Sequence, residues 1–295
     1  RSALTATTSG VKNTGVGTHV LEANTTGATN TAVGHSALGA NTTADGNTAI
    51  GNDALALNTT GASNTAVGKG ALDANTTGNS NVAVGADALT ANTTAAGNIA
   101  IGVGALRVTT TGSENTGIGD GTMAANVAGA NNSAYGAQTL AANTSGGSNT
   151  AIGGYALNDN TTGANNTACG ALALDANTTA SNNTAIGYAA LGANTTGATN
   201  TACGSLALTS ATTGGVNTSI GYAALTGVTT GTHNTGLGYA SGQTITTGSN
   251  NIALGTNALN SGRPGGAVTT ASNIIGIGNG AVSYTHLRAH ETDSY

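Results

Sequence analysis

The side chains that could do chemistry in this chain of 295 residues are few and widely scattered. His19, His35 and His233 could ligate a metal or act as general bases, and Cys169 and Cys203 could supply thiolates. Glu22, Glu114, Asp45, Asp53, Asp73, Asp87, Asp120, Asp159 and Asp175 are the acids from which a proton-transfer pair would have to come. Asn-Thr-Thr or Asn-Thr-Ser creates N-glycosylation-type sequons at Asn24, Asn41, Asn58, Asn75, Asn92, Asn143, Asn160, Asn177 and Asn194. Tyr188, Tyr222 and Tyr239 offer aromatic faces that could hold a carbohydrate or a partner protein.

Spacing decides among these possibilities. Asparagine recurs every 17 residues from Asn13 and Asn30 to Asn234 and Asn251 without a slip. A glycine stands four residues after each one, at Gly17, Gly34, Gly51, Gly68, Gly85, Gly102, Gly119, Gly136, Gly153, Gly170, Gly187, Gly204, Gly221, Gly238 and Gly255. Numbered from that asparagine, the unit reads N-T-A-(V/I)-G-x-x-A-L-x-A-N-T-T-G-x-x. A fixed period without insertions implies that each unit stacks on the one before it. The three histidines fall at positions 7, 6 and 17, read as belonging to distant coils, and the acids are spread along the stack. The sequence therefore predicts no catalytic residues, no metal site, no cofactor and no enzyme. Pieces such as Gly15 to Gly17 and Gly117 to Gly119 belong to the turn of the repeat and do not form a phosphate loop.

Seventeen residues are too few for a helix pair, and glycine in a helix interior costs about 1 kcal/mol against alanine. Two short strands fit the unit, at positions 1 to 4 and about 8 to 13, with glycines at 5 and 15 making the turns. The expected fold is all-β, a parallel β-solenoid of about fifteen coils. Strand alternation is taken to send position 4 inward together with positions 9 and 11. That choice gives a core of Val33, Leu38, Ile50, Leu55, Val67, Leu72, Ile186 and Leu191, with Cys169 and Cys203 as small core residues at position 4. It sends the alanines of positions 3 and 8 and the asparagine of position 12 outward. Alanine rows such as Ala49, Ala66, Ala83 and Ala100 then predict a second buried surface between subunits. Asparagine stacked on asparagine predicts an amide ladder, which competes with glycan attachment. The three tyrosines share position 6, where they are expected to fill a corner.

Six Lys or Arg residues oppose eleven Asp or Glu, for a net charge of −5, and no basic patch with interleaved aromatics occurs. Nucleic acid is excluded as a partner on that basis. No stretch of about 18 apolar residues exists, so no membrane insertion is expected. The regular repeat runs from 13 to 259, after an incomplete coil over 1 to 12. It breaks at Asn260-Ser-Gly-Arg-Pro-Gly-Gly, where a loop of five or six residues is inserted, and a last coil ends near 281. Residues 282 to 292 match a tagmentation sequencing adaptor translated in frame, so 282 to 295 are set apart as non-native. The remainder reads as an internal piece of a longer protein.

Units such as Asn64-Thr-Ala-Val-Gly68 and Asn183-Thr-Ala-Ile-Gly187, each followed by Ala-Leu and Asn-Thr-Thr-Gly, resemble the head repeats of YadA-like trimeric autotransporter adhesins. They also resemble the repeat shafts of phage tail fibres, and the similarity covers about residues 11 to 281. The unit here is longer than the adhesin unit. The resemblance implies a left-handed β-roll whose three chains pack side by side, located outside the cell, on its surface or on a virion. The implied partners are further copies of the chain, as a homotrimer or an end-to-end filament, and a host-surface protein or glycan. The implied function is a structural fibre segment giving reach and multivalent attachment. The alternative is a monomeric β-solenoid that binds ice or carbohydrate through flat Thr and Asn faces, since Thr occupies position 2 in eleven units.

Overall fold

The computed structural model describes residues 3–260 and 269–280. These form an all-β solenoid of short parallel strands, with no helix among the described residues. The chain divides into two compact units, Arg1–Ser181 and Asn182–Tyr295. The first contains strands β1 (Thr14–Thr18) and β2 (Thr31–His35), followed by three-residue strands from β3 (Thr48–Ile50) to β10 (Thr167–Cys169). The second contains β11 (Thr184–Ile186) to β16 (Ile275–Ile277). Within each unit every strand pairs in parallel with its neighbours in the chain, one period apart. Thr31 pairs with Thr48, Ala32 with Ala49 and Val33 with Ile50. In the second unit Ile252 pairs with Ile275, a step of 23 residues. The insertion after Asn260 thus preserves the register, although most of that loop and the adaptor-like tail lie outside the described residues.

Each coil has one strand, at positions 2 to 4, where two were expected. The second expected strand is interrupted because positions 7 and 9 turn into the left-handed region, as at Asp53 (φ 56) and Leu55 (φ 51). A non-glycine residue there costs on the order of 1 kcal/mol or more, and the cost recurs at the core leucine of coil after coil. Coil-to-coil hydrogen bonding nevertheless continues through this segment. The Leu55 N–H donates to the Ala71 carbonyl at 3.0 Å and the Thr59 N–H to the Thr76 carbonyl at 3.0 Å. The backbone is therefore laddered well beyond the strands.

The interior is the reverse of the expected one on the strand side. Ala32, Ala49, Ala66, Ala83 and Ala100 at position 3 are fully buried, as are Ala37, Ala54 and Ala71 at position 8. Leu38, Leu55, Leu72 and Leu191 at position 9 are core, as expected. Ile50 and Ile186 at position 4, however, are 41% and 43% exposed, and Val33 and Val67 are only half-buried. The alanine rows are thus not an outer surface, and position 11 is half-buried at Ala40 and Ala74.

The reason is room. Where glycine occupies position 3, at Gly117, an added Cβ would lie 2.9 Å from Leu106 Cδ1, 2.9 Å from Thr122 Cγ2 and 3.1 Å from Met123 Cε. The leucine row already fills the coil, leaving space for a methyl group or less opposite it, so the β-branched side chain must face out.

The glycine of position 5 has a separate cause. Gly68 has φ +138, and a Cβ there would lie 2.5 Å from the Gly85 carbonyl oxygen. Handedness of the backbone and the close approach of the next coil both require glycine. At position 15, Gly27, Gly61 and Gly78 do not have positive φ, and Ala44, Ala95 and Ala180 stand at equivalent places. That corner needs a small residue; the left-handed turns expected of glycine there occur at positions 7, 9 and 17.

Candidate functional surfaces

The asparagines are structural. All nine sequon asparagines, from Asn24 to Asn194, are fully buried. Asn41 Nδ2 donates to Asn24 Oδ1 at 2.8 Å and to the Ala44 carbonyl at 3.1 Å. An amide held in this way has no open side for a glycan, so the folded coils correct the glycan expectation. The period-setting asparagines form a second ladder: the Asn64 backbone N–H donates to Asn47 Oδ1 at 2.9 Å, and Asn64 Nδ2 to the Gly78 carbonyl at 2.8 Å. Buried amides must be paired in this way, because an unsatisfied one costs about 1 to 3 kcal/mol. Where Thr109 replaces the position-12 asparagine, Asn92 Oδ1 is left without a partner.

Threonine at position 13 is also used internally. Thr25 Oγ1 donates to the Thr42 carbonyl at 3.0 Å and Thr59 Oγ1 to the Thr76 carbonyl at 3.0 Å. The threonines that face outward on the sheet are those of position 2, such as Thr48, Thr65 and Thr150, each at the margin of exposure. Two residues along the same strand stands the aliphatic row of position 4. In the first unit it includes Ile50, Ile101, Ile118 and Ile152, and in the second Ile186, Ile220, Leu237 and Leu254, all at least partly open to solvent. Cys169 and Cys203 belong to this row. Both are free thiols, one exposed and one half-buried, and neither is a core residue as expected.

Tyr188, Tyr222 and Tyr239 are about half exposed and do not fill a corner. Tyr222 and Tyr239 stack with ring centroids 5.3 Å apart and planes 14° apart. In the first unit, Arg107, Ala124, Ala125, Gln138, Ala142 and Asn158 line a shallow open groove of about 430 Å³.

Two clusters of titratable groups were not expected. His19 and His35 lie on neighbouring coils, with ring centroids 5.7 Å apart, although the sequence reading placed the histidines in distant coils. Their separation of 16 residues, close to one period, was the available signal. Asp73 is half-buried, and its pKa is raised first by burial and then by the charges of Asp53 and Asp87. Asp175 is raised by burial and by Asp159. Among the described residues no group of three or more His, Cys, Asp or Glu is placed to hold a metal ion. No helix among them is long and apolar enough to cross a membrane. No family model, curated protein or solved structure matches this chain.

Proposed function

We propose that this chain is a structural fibre segment of an extracellular adhesin or phage tail fibre, whose copies pack side by side through the sheet. The observation that carries this reading is the outward aliphatic row at position 4. Aliphatic side chains repeated on successive strands without a charge among them favour burial against another apolar surface. A second copy is the suitable occupant, because its row has the same period and can meet this one rung for rung. Three copies is the number implied by the resemblance to adhesin heads and fibre shafts. Attachment to a host-surface protein or glycan would then be multivalent, gaining from effective concentration without a deep pocket.

Light scattering on the purified chain tests the assembly. The expected mass is that of three chains, falling to one when Ile50, Ile101, Ile118 and Ile152 are together replaced by Thr. A single-chain mass at every concentration for the parent protein overturns the packing. That result would favour a second reading, in which a monomer presents the same flat face to ice. The observation behind it is the alignment of Thr at position 2 with Ile or Val at position 4, about 6.6 Å apart along each strand. A thermal hysteresis measurement on the monomer distinguishes the two.

A further inference from the structure

His19 and His35 stand at the end of β1 and β2, where position 7 of one coil meets position 6 of the next. His19 Nδ1 lies 2.8 Å from Glu22 Oε2. His35 Nδ1 lies 3.0 Å from Ser36 Oγ and 3.9 Å from Asp53 Oδ1. All four charged or titratable side chains are about half exposed. Each imidazole therefore has its Nδ1 turned to an oxygen partner, and neither Nε2 has a hydrogen-bond partner among the described residues. With the proton on Nδ1, Nε2 presents its lone pair to solvent. An oxygen partner behind the ring is the arrangement that orients a metal-ligating histidine and raises its basicity.

The separation of the two rings fits a shared ion. At a Zn–N distance of about 2.0 to 2.1 Å, two imidazoles bound through Nε2 to one tetrahedral ion have centroids roughly 5 to 6 Å apart. The observed spacing is 5.7 Å. We propose that His19 and His35 form a two-imidazole site for one divalent transition-metal ion of the zinc class, clamping the first coil to the second. Glu22 and Asp53 act as positioning residues, and water completes the coordination. Imidazole ligands select such ions over Mg²⁺ or Ca²⁺, which prefer carboxylate, carbonyl and water oxygens. The site is independent of the fibre reading, because it is complete within one chain.

Calorimetric titration of the full chain with zinc chloride tests the proposal. His286 and His290 are replaced by Ala in the background, and a tag without histidine is used. One saturable ion per chain is expected, absent with magnesium. Because His19 has φ 58, the informative substitution is His19→Asn, which tolerates left-handed backbone. His19→Asn and His35→Ala should each abolish the site, while His233→Ala leaves it intact. Glu22→Gln should weaken binding by roughly 10-fold, in the range that partners behind a ligand contribute. Parent binding that survives both histidine substitutions overturns the proposal. So does a stoichiometry of two ions, one lost with each histidine, because it would mean that the imidazoles act separately. Absence of saturable binding overturns it as well.

Discussion

Positions 3 and 4 of each coil are adjacent, both are apolar and both lie on the same strand, yet one is sealed and the other is open. Ala49 is fully buried while Ile50 beside it is 41% exposed. Hydrophobicity alone would place the larger side chain inside. In a coil of 17 residues the interior is only as wide as one leucine row plus a methyl row, so size decides the direction of the pleat. The larger residues are left on the outer face, where they become available to a partner.

The largest expected effect breaks the inner row. Leu55→Ala should cost about 2 to 5 kcal/mol of stability, as truncation of a fully buried leucine does, and should do so at every protein concentration. Ile50→Ala should cost little when the chain is dilute and more as copies associate. Urea unfolding across a range of protein concentrations separates the two. An equal, concentration-independent loss at Ile50 would mean that the outer row is not a contact surface.

Enlarging the inner row comes next. Ala66→Val should cost about 1 to 3 kcal/mol through overpacking against the leucine row, whereas Val67→Ala on the same strand should leave the isolated chain nearly unchanged. Chemical denaturation midpoints measure both. If Ala66→Val is neutral, the interior is wider than the leucine row implies.

A third contrast concerns polar groups. Asn64→Ala removes the acceptor for the Asn81 N–H, at 2.9 Å, and the donor to the Gly78 carbonyl, at 2.8 Å. Leaving buried partners unsatisfied should cost about 1 to 3 kcal/mol. Thr65→Ala, one residue away on the outer face, should stay within roughly 0.5 kcal/mol. Amide exchange should quicken at Asn81 in the first variant alone.

Much of this architecture was legible from the repeat. An unbroken 17-residue period specified a parallel stack, and the asparagine ladder and core leucines followed from it. The parity of the strand was not legible, because T-A-V offers an apolar residue on either face and only the width of the coil chooses between them. Nor was the left-handed backbone at position 9, since leucine gives no local signal for positive φ and adopts it here only because the interior needs its side chain. The coil from Asn234 shows how firmly that volume is required. Gly242 replaces the leucine, and Ile245 replaces the position-12 asparagine and is fully buried. A Cβ on Gly242 would come within 3.2 Å of Ile245 Cδ1, so the isoleucine occupies the space the leucine gave up. The pairing of His19 with His35 was missed because position within the unit was weighed without counting coils.

The smallest expected effect lies at the margin between sealed and open. Asp73, at position 10, is half-buried beside the charges of Asp53 and Asp87, and its pKa is raised above 3.8 by burial first and by those charges second. A carboxyl whose folded pKa exceeds its unfolded value binds its proton more tightly in the folded chain. Its ionisation therefore opposes folding, with a penalty that is absent below the unfolded pKa and complete once the pH has risen past the folded one. Asp73→Asn removes the penalty and should raise the melting temperature slightly at pH 7. The gain should shrink as the pH falls through the folded pKa and vanish below about 3.8. Solvent screening at this half-open position keeps the effect modest, and Asp53→Asn in the same background should reduce it further. A gain that persists unchanged at low pH would show that packing, and not charge, sets the cost of an acid at this border.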